Sequence, residues 1–251
     1  MGHDVALSGD AQIMAVSAHY QSGGGQYVRL YSKNGADWNM FQQLVNPDED
    51  GWNWVGRLGH SVDLSHDGSI LAVSARRYAV FIYELSSIAS VYHIHLLDTI
   101  YCDDVYEVSV SGNGRVLGIM SSKSSPSYAW VLIRVGNGFQ QRGSTFTGYG
   151  SYFSGIALNY DATIVAIGDD NYDYDGSHDP YDMGRVSVFQ WTDVYGNGFK
   201  NCIQMGSDIT GDAANCRFGR YVCVSITYDG LTVAVGAEGY DNSKGLVRVY
   251  D

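Results

Sequence analysis

The chain repeats one pattern five times. "VALSGDAQIMAVSA" begins at Val5, "VDLSHDGSILAVSA" at Val62, "VSVSGNGRVLGIMS" at Val108, "IALNYDATIVAIGD" at Ile156 and "VSITYDGLTVAVGA" at Val224. The turn residues Asp10, Asp67, Asn113, Asp161 and Asp229 follow one another at intervals of 57, 46, 48 and 68 residues. A unit recurring at this spacing is one supersecondary element that cannot bury its apolar face alone, so the copies must stack on one another.

Each copy has the same internal grammar. An alternating strand such as "SVDLS" runs into Asp-Gly or a similar pair, and a second strand such as "ILAVSA" follows at once, the sequence form of a tight hairpin. A small residue recurs in that second strand, at Ala15, Ala72, Gly118, Ala166 and Ala234, where close packing between neighbouring units would exclude a Leu. Third strands read "YVRLY", "AVFIY", "AWVLI", "RVSVF" and "LVRVY"; fourth strands start near Trp38, Val91, Phe139 and Phe199. The predicted fold class is all-β: a single five-bladed β-propeller of mostly four-stranded antiparallel blades, spanning approximately 1–54, 55–101, 102–149, 150–214 and 215–251. The fifth copy stops at Asp251 after its third strand, which predicts a last blade lacking its outer strand and exposing a row of backbone donors and acceptors. Natural truncation, a lost segment or a strand from another molecule would each account for it. Because the first copy begins directly on an inner strand, the ring is expected to close by side-chain packing between blades 1 and 5.

The segment from Gly206, "GSDITGDAANCRFGRYVCVSITYDGLTVAVGAEGYDNSKGLVRVYD", resembles the FG-GAP-like propeller repeats of algae, oomycetes and marine bacteria, which are related to the integrin α-chain propeller. Phe218-Gly219 stands at the "FG" position and "VAVGA" at the "GAP" position; Gly59-His60 and Gly2-His3 keep only the glycine. The resemblance implies the propeller fold and a binding or scaffold role. Calcium in such repeats sits in an Asp-rich loop between the first two strands, whereas here those connections are short turns. Asp10, Asp67, Asn113, Asp161 and Asp229 are therefore read as turn formers.

Charge narrows the partners. With 27 acidic and 15 basic residues the formal net charge is -12, and no Lys/Arg stripe is present to neutralise phosphates, so nucleic acid is not expected. No apolar run reaches the length of a membrane span and the start lacks a signal-peptide pattern, so no membrane insertion is expected; the compartment is either intracellular or, with a leader removed, extracellular. Four cysteines show no CxxC spacing. Cys202 and Cys216 are the candidate disulfide in an oxidising setting, and four buried free thiols are the alternative.

Three constellations carry candidate chemistry. Asn171, Asp173, Asp175, Asp179 and Asp182 fall at positions 1, 3, 5, 9 and 12 counted from Asn171, with Gly176 at position 6, close to the spacing of a twelve-residue calcium loop. Calcium is accordingly the one candidate cofactor, weighed against a solvated acidic loop. His3, His60, Tyr106, Ser154 and Arg220 occupy equivalent positions at the start of each inner strand and are expected to ring one channel mouth as a ligand-binding set. His93 and His95 share one strand face, a zinc-like pair without a third ligand. Tyr20, Trp52, Trp54, Tyr149, Tyr152, Tyr172, Tyr174 and Tyr181 lie in polar loops, where aromatics stack on sugars or anchor protein partners. No Ser/His/Asp or paired-carboxylate set emerges, so the expected function is non-enzymatic: a binding or scaffold propeller for a protein partner, with a calcium-dependent lectin as the alternative and a hydrolase as a remote one. Self-association through the open edge of blade 5 is a further expectation.

Overall fold

The structure is a computed structural model describing residues 2–18, 26–45, 57–88, 90–121, 127–148, 153–170, 183–192, 201–220 and 223–251. Five antiparallel sheets form in chain order. Blade 1 holds β1 (Val5–Leu7), β2 (Ile13–Ala18), β3 (Tyr27–Asn34) and β4 (Asp37–Val45); blade 2 holds β5 (Arg57–Leu64), β6 (Ile70–Arg76), β7 (Ala79–Ile88) and β8 (Val91–Tyr101). Blade 3 holds β9 (Val105–Val110), β10 (Val116–Ser121) and β11 (Tyr128–Val135), with its outer edge divided between β12 (Gly138–Gln141) and β13 (Phe146–Thr147). Blade 4 repeats that division: β14 (Phe153–Leu158), β15 (Ile164–Asp169) and β16 (Arg185–Thr192), then β17 (Asn201–Gln204) and β18 (Ile209–Thr210), both on β16. Blade 5 has three strands, β19 (Val224–Ile226), β20 (Val233–Ala237) and β21 (Leu246–Tyr250), with one helical turn, α1 (Tyr240–Ser243), before the last.

The hairpins form because each turn carries its own hydrogen-bond set. Asp67 Oδ1 accepts from Ser65 Oγ at 2.7 Å and from the Ser69 N–H at 2.9 Å, while Ser65 Oγ accepts from the Ile70 N–H at 2.9 Å. Ser8 and Asp10, Ser111 and Asn113, Asn159 and Asp161, and Thr227 and Asp229 repeat the arrangement. The turn residues are thus structural, as their spacing predicts. An N–H at the start of each second strand, buried in the first four copies and exposed in the fifth, is satisfied by the residue two before the turn Asp or Asn.

The core is divided among the seams between blades. Ala6, Ala15, Val28 and Leu30 of blade 1 pack on Val62, Leu64, Leu71 and Val73 of blade 2. Ala72, Val80 and Ile82 meet Val108, Val110 and Leu117 across the second seam. Met120 and Val131 meet Ile156, Leu158 and Val165 across the third; Ala157, Ala166 and Val186 meet Phe218, Val224 and Val235 across the fourth. The sense is constant: a face with one small second-strand residue, Ala15, Ala72, Gly118 or Ala166, receives branched aliphatics from the first two strands of the next blade. A Cβ on Gly118 would lie 2.7 Å from Ile156 Cδ1, which is why that position stays small.

The fourth seam also explains the Phe-Gly pair. Phe218 is 1% exposed within this cluster. Gly219 holds φ +78 and donates its N–H to Gly236 O at 2.9 Å, tying the connection onto β20, the central strand of blade 5. Gly2 and Gly59, at the equivalent positions, share the left-handed geometry at φ +83 and +79.

Among the described residues no fifth seam is packed. The described residues contain no core cluster between blade 5 and blade 1, and the faces that such a seam would join stand open: Val5 and Leu7 are 57% and 52% exposed, Val247 and Val249 71% and 64%. This corrects the expectation that blades 1 and 5 close the ring through side-chain packing. The physical reason lies in the faces themselves: aliphatic side chains that made such contacts would be largely withdrawn from water. Among the described residues no helix is long and apolar enough to cross a membrane.

Candidate functional site

The inner strands β1, β5, β9, β14 and β19 line one cavity of about 480 Å³ along the channel axis. At its turn end the backbones are stitched blade to blade: Gly9 N–H to His66 O at 2.7 Å, His66 N–H to Gly112 O at 2.9 Å, Asn113 N–H to Tyr160 O at 2.9 Å, and Tyr160 N–H to Tyr228 O at 3.2 Å. This places three rings together. Tyr160 stacks on Tyr228 with centroids 4.1 Å apart, and His66 meets both edge-on at 5.9 and 5.5 Å. Among the described residues the ladder does not continue from blade 5 to blade 1.

Deeper in the cavity lie three carboxyl groups, and each performs a structural duty. Asp4 Oδ2 accepts the N–H of Val62 at 2.8 Å, Asp63 Oδ2 that of Val110 at 2.6 Å, and Glu107 accepts that of Ile156. Ser61 and Ser109 make the same reach, to Val108 at 3.3 Å and Leu158 at 3.2 Å. A side chain on the inner strand of one blade therefore satisfies a backbone donor of the next. The remaining oxygen of Glu107, Oε2, has no hydrogen-bond partner, and the residue is 6% exposed.

Burial dominates the electrostatics. It pushes Asp63 up to about 7, with the neighbouring Asp4 carboxylate adding to the rise. Burial likewise raises Glu107 well above the usual carboxylate range, reinforced by Asp4 and Asp63, and raises Asp4 despite its backbone hydrogen bonds. Three acids that share one low-dielectric site cannot all ionise without mutual cost, so the cavity has unspent capacity for positive charge.

Of the residues expected at the mouth, His3, His60 and Tyr106 lie beside one another. His3 and His60 have ring centroids 5.1 Å apart, His60 meets Tyr106 edge-on at 5.4 Å, and His60 Nδ1 lies 2.8 Å from Tyr106 O. Burial pushes His60 down to about 4, against the raising effect of that carbonyl. Arg76 covers the Tyr106 ring at 4.3 Å and bonds its hydroxyl. Arg220 is held instead by Asp170 at 3.1 Å and Glu238 at 2.5 Å. The side chain of Ser154 lies outside the described residues.

Other candidates separate cleanly. Asn171, Asp173, Asp175, Asp179 and Asp182 lie outside the described residues, as do all eight loop aromatics. His93 and His95 are exposed on one face of β8, and no group of three metal-ligating side chains occurs among the described residues. All four cysteines are free thiols. Cys202 packs in the cluster between blades 3 and 4, whereas Cys216 is buried between blades 4 and 5 and donates to Met183 O at 2.9 Å, so blade 4 separates the candidate pair.

Sequence reasoning missed Asp4, Asp63, Glu107 and the His66–Tyr160–Tyr228 cluster. A signal existed. Asp4, Ser61, Glu107, Gly155 and Cys223 occupy one repeat position, and Ala6, Asp63, Ser109, Ala157 and Ser225 another; carboxylates at three of these otherwise small or weakly polar positions are out of place on a buried strand.

Solved structures share this architecture. Hydrazine synthase from Kuenenia stuttgartiensis aligns over 94% of this chain and 61% of its own, at 11% identity and a TM-score of 0.58. TolB from Acinetobacter baumannii aligns over 99% and 51%, at 12% and 0.55, and Sqt1 from Chaetomium thermophilum over 93% and 55%, at 12% and 0.61. The chain has the β-propeller fold. At such identities the likeness concerns fold alone, and the propeller spans between about half and three-fifths of these chains. No protein-family model and no curated protein matches it.

Proposed function

We propose that this is a non-enzymatic binding propeller, with FG-GAP-like repeats, that engages a protein partner at its central channel, and that the group captured there is a basic side chain. The observation that carries the reading is Glu107 Oε2, an acceptor enclosed in the cavity beside Asp4 and Asp63 and lacking a donor. A Lys ammonium or Arg guanidinium supplies donors and compensates the charge, and the acidic surface of a chain with net charge -12 steers such a partner inward. A glycan is the second reading, favoured by the exposed Tyr228 ring stacked on Tyr160 at the turn end.

The test is calorimetry with short peptides carrying a single central Lys or Arg, matched to peptides with norleucine or citrulline, on the wild type and on Glu107→Gln. Binding that weakens about tenfold or more in the variant, tightens as pH rises from 5 to 8 and releases protons supports the reading. Equal affinity for the charged and neutral peptides overturns it, and binding confined to a glycan array selects the second reading.

A further inference from the structure

Each of the four packed seams joins the same two surfaces. The blade before the seam offers a face with a small second-strand residue (Ala15, Ala72, Gly118 or Ala166) paired to an aliphatic of its third strand (Leu30, Ile82, Val131 or Val188), and the blade after it offers branched aliphatics from its first two strands. Among the described residues one more of each is unmated. On blade 5 the register aligns Ser225, Ala234 and Val249 across the sheet, with Gly236 opposite Val247 beside them. These residues correspond to the faces buried in the other four seams, yet Val247 and Val249 are among the most exposed aliphatics of the described residues. On blade 1 the register aligns Val5, Val16 and Arg29, and Leu7, Met14 and Tyr31. Their counterparts on blade 2, Val62, Leu64, Leu71, Val73, Phe81 and Tyr83, are all buried.

The polar parts of the seam are unmated too. Asp63 and Ser109 each reach the next inner strand. Ser225 occupies the same repeat position and stands exposed. The backbone ladder through Gly9, His66, Gly112, Tyr160 and Tyr228 has an end at blade 1 and an end at blade 5. Contiguous aliphatic surface of this kind, continuous with four interfaces already built the same way, marks an interaction surface.

We infer that the gap between blade 5 and blade 1 is a docking slot for a further β-blade of this same repeat. The occupant is a four-stranded antiparallel sheet. One face, of branched aliphatics, seats on Ala234, Gly236, Val247 and Val249. The other, with a small second-strand residue, covers Val5, Leu7, Met14 and Val16. It also meets Ser225 with the backbone donor of its inner strand. The slot borders the channel cavity, which Val5, Leu7 and Ser225 also line, but its faces do not include Asp4, Asp63 or Glu107, so the two readings are tested on different residues.

The slot is tested by supplying the blade. A second copy of residues 90–148, comprising the fourth strand of blade 2 and all of blade 3, is appended after Asp251. The expected product is monomeric, melts roughly 5 °C or more above the 251-residue chain and binds at least twofold less of an apolar dye. Leu7→Asp or Val249→Asp should cancel both gains in the extended chain while moving the melting temperature of the original chain by no more than about 1 °C, since both side chains are exposed there. An appended blade whose amides exchange freely overturns the inference. So does an original chain that sediments as an oligomer dispersed by Leu7→Asp or Val249→Asp, which would assign the two faces to a second copy.

Discussion

Asp63 Oδ2 accepts the N–H of Val110 at 2.6 Å, so a carboxylate from one blade completes the backbone of the next. That bond coexists with an environment that disfavours the ionised form, because burial and Asp4 together push Asp63 up to about 7. Structural need and electrostatic cost meet at the same atoms, and the first prediction follows from that conflict.

Between the unfolded carboxylate range near 4 and the folded value near 7, native Asp63 keeps a proton that the unfolded chain has lost. Its contribution to stability is therefore greatest below about pH 4, declines as pH rises, and is lost above 7, at up to about 1.4 kcal/mol per pH unit. Denaturant unfolding of wild type and Asp63→Asn between pH 4 and 8 should show the wild type losing ground steadily to the variant. A constant difference would refute this.

His60 works in the opposite direction. Its folded value of about 4 lies below the ordinary 6.5, so on acidification the unfolded chain takes up a proton that the native chain refuses. Wild type should lose stability relative to His60→Asn as pH falls from 6.5 to 4, then level off. The two trends overlap between 4 and 6.5, so each is read from its own variant.

Ser65 is fully buried and serves both the Asp67 turn and the Ile70 N–H. Ser65→Ala removes the acceptor and leaves that N–H buried without one, a loss of about 1–3 kcal/mol. Thermal unfolding should show a fall of roughly 2–10 °C for a chain of this size.

Gly219 combines a left-handed backbone with a close neighbour: an added Cβ would lie 2.7 Å from Val186 Cγ2. Gly219→Ala should cost about 2 kcal/mol or more. Gly35 has φ +63 and nothing within 4 Å, so Gly35→Ala should cost only the backbone part, about 1 kcal/mol. Chemical denaturation of the pair separates the two effects.

The spacing of Asn171, Asp173, Asp175, Asp179 and Asp182 is the ground for proposing calcium there. Calcium at about 100 times its dissociation constant should stabilise the protein by about 2.7 kcal/mol relative to chelator, roughly 5 to 10 °C in melting temperature. The shift should vanish in Asp173→Ala and Asp175→Ala. A wild type indifferent to calcium would return the stretch to a solvated acidic loop.

The sequence by itself determined the blade. Hydrophobic alternation, an Asp or Asn turn with its Ser, Thr or Asn two residues before, and a small residue at Ala15, Ala72, Gly118 and Ala166 are local or repeated features, and repetition reveals the side of each strand that must be buried. It also marked blade 5 as three-stranded and grouped His3, His60 and Tyr106, whose rings lie side by side because equivalent positions of successive blades are neighbours. Only the tertiary structure decided which polar residues face one another. Asp4, Asp63 and Glu107 are more than forty residues apart in sequence, and Asp63 stands two repeat positions along from the one that Asp4 and Glu107 share; their clustering depends on how the inner strands stack, and so does the shift in each carboxyl group. Arg220, expected beside His60 because each follows a glycine at the start of its copy, is held instead by Asp170 and Glu238, a pairing that no single copy of the repeat contains. The open seam was equally hidden: a repeat specifies how each blade meets the next, whereas closure depends on the angle accumulated over all of them, which no single copy contains.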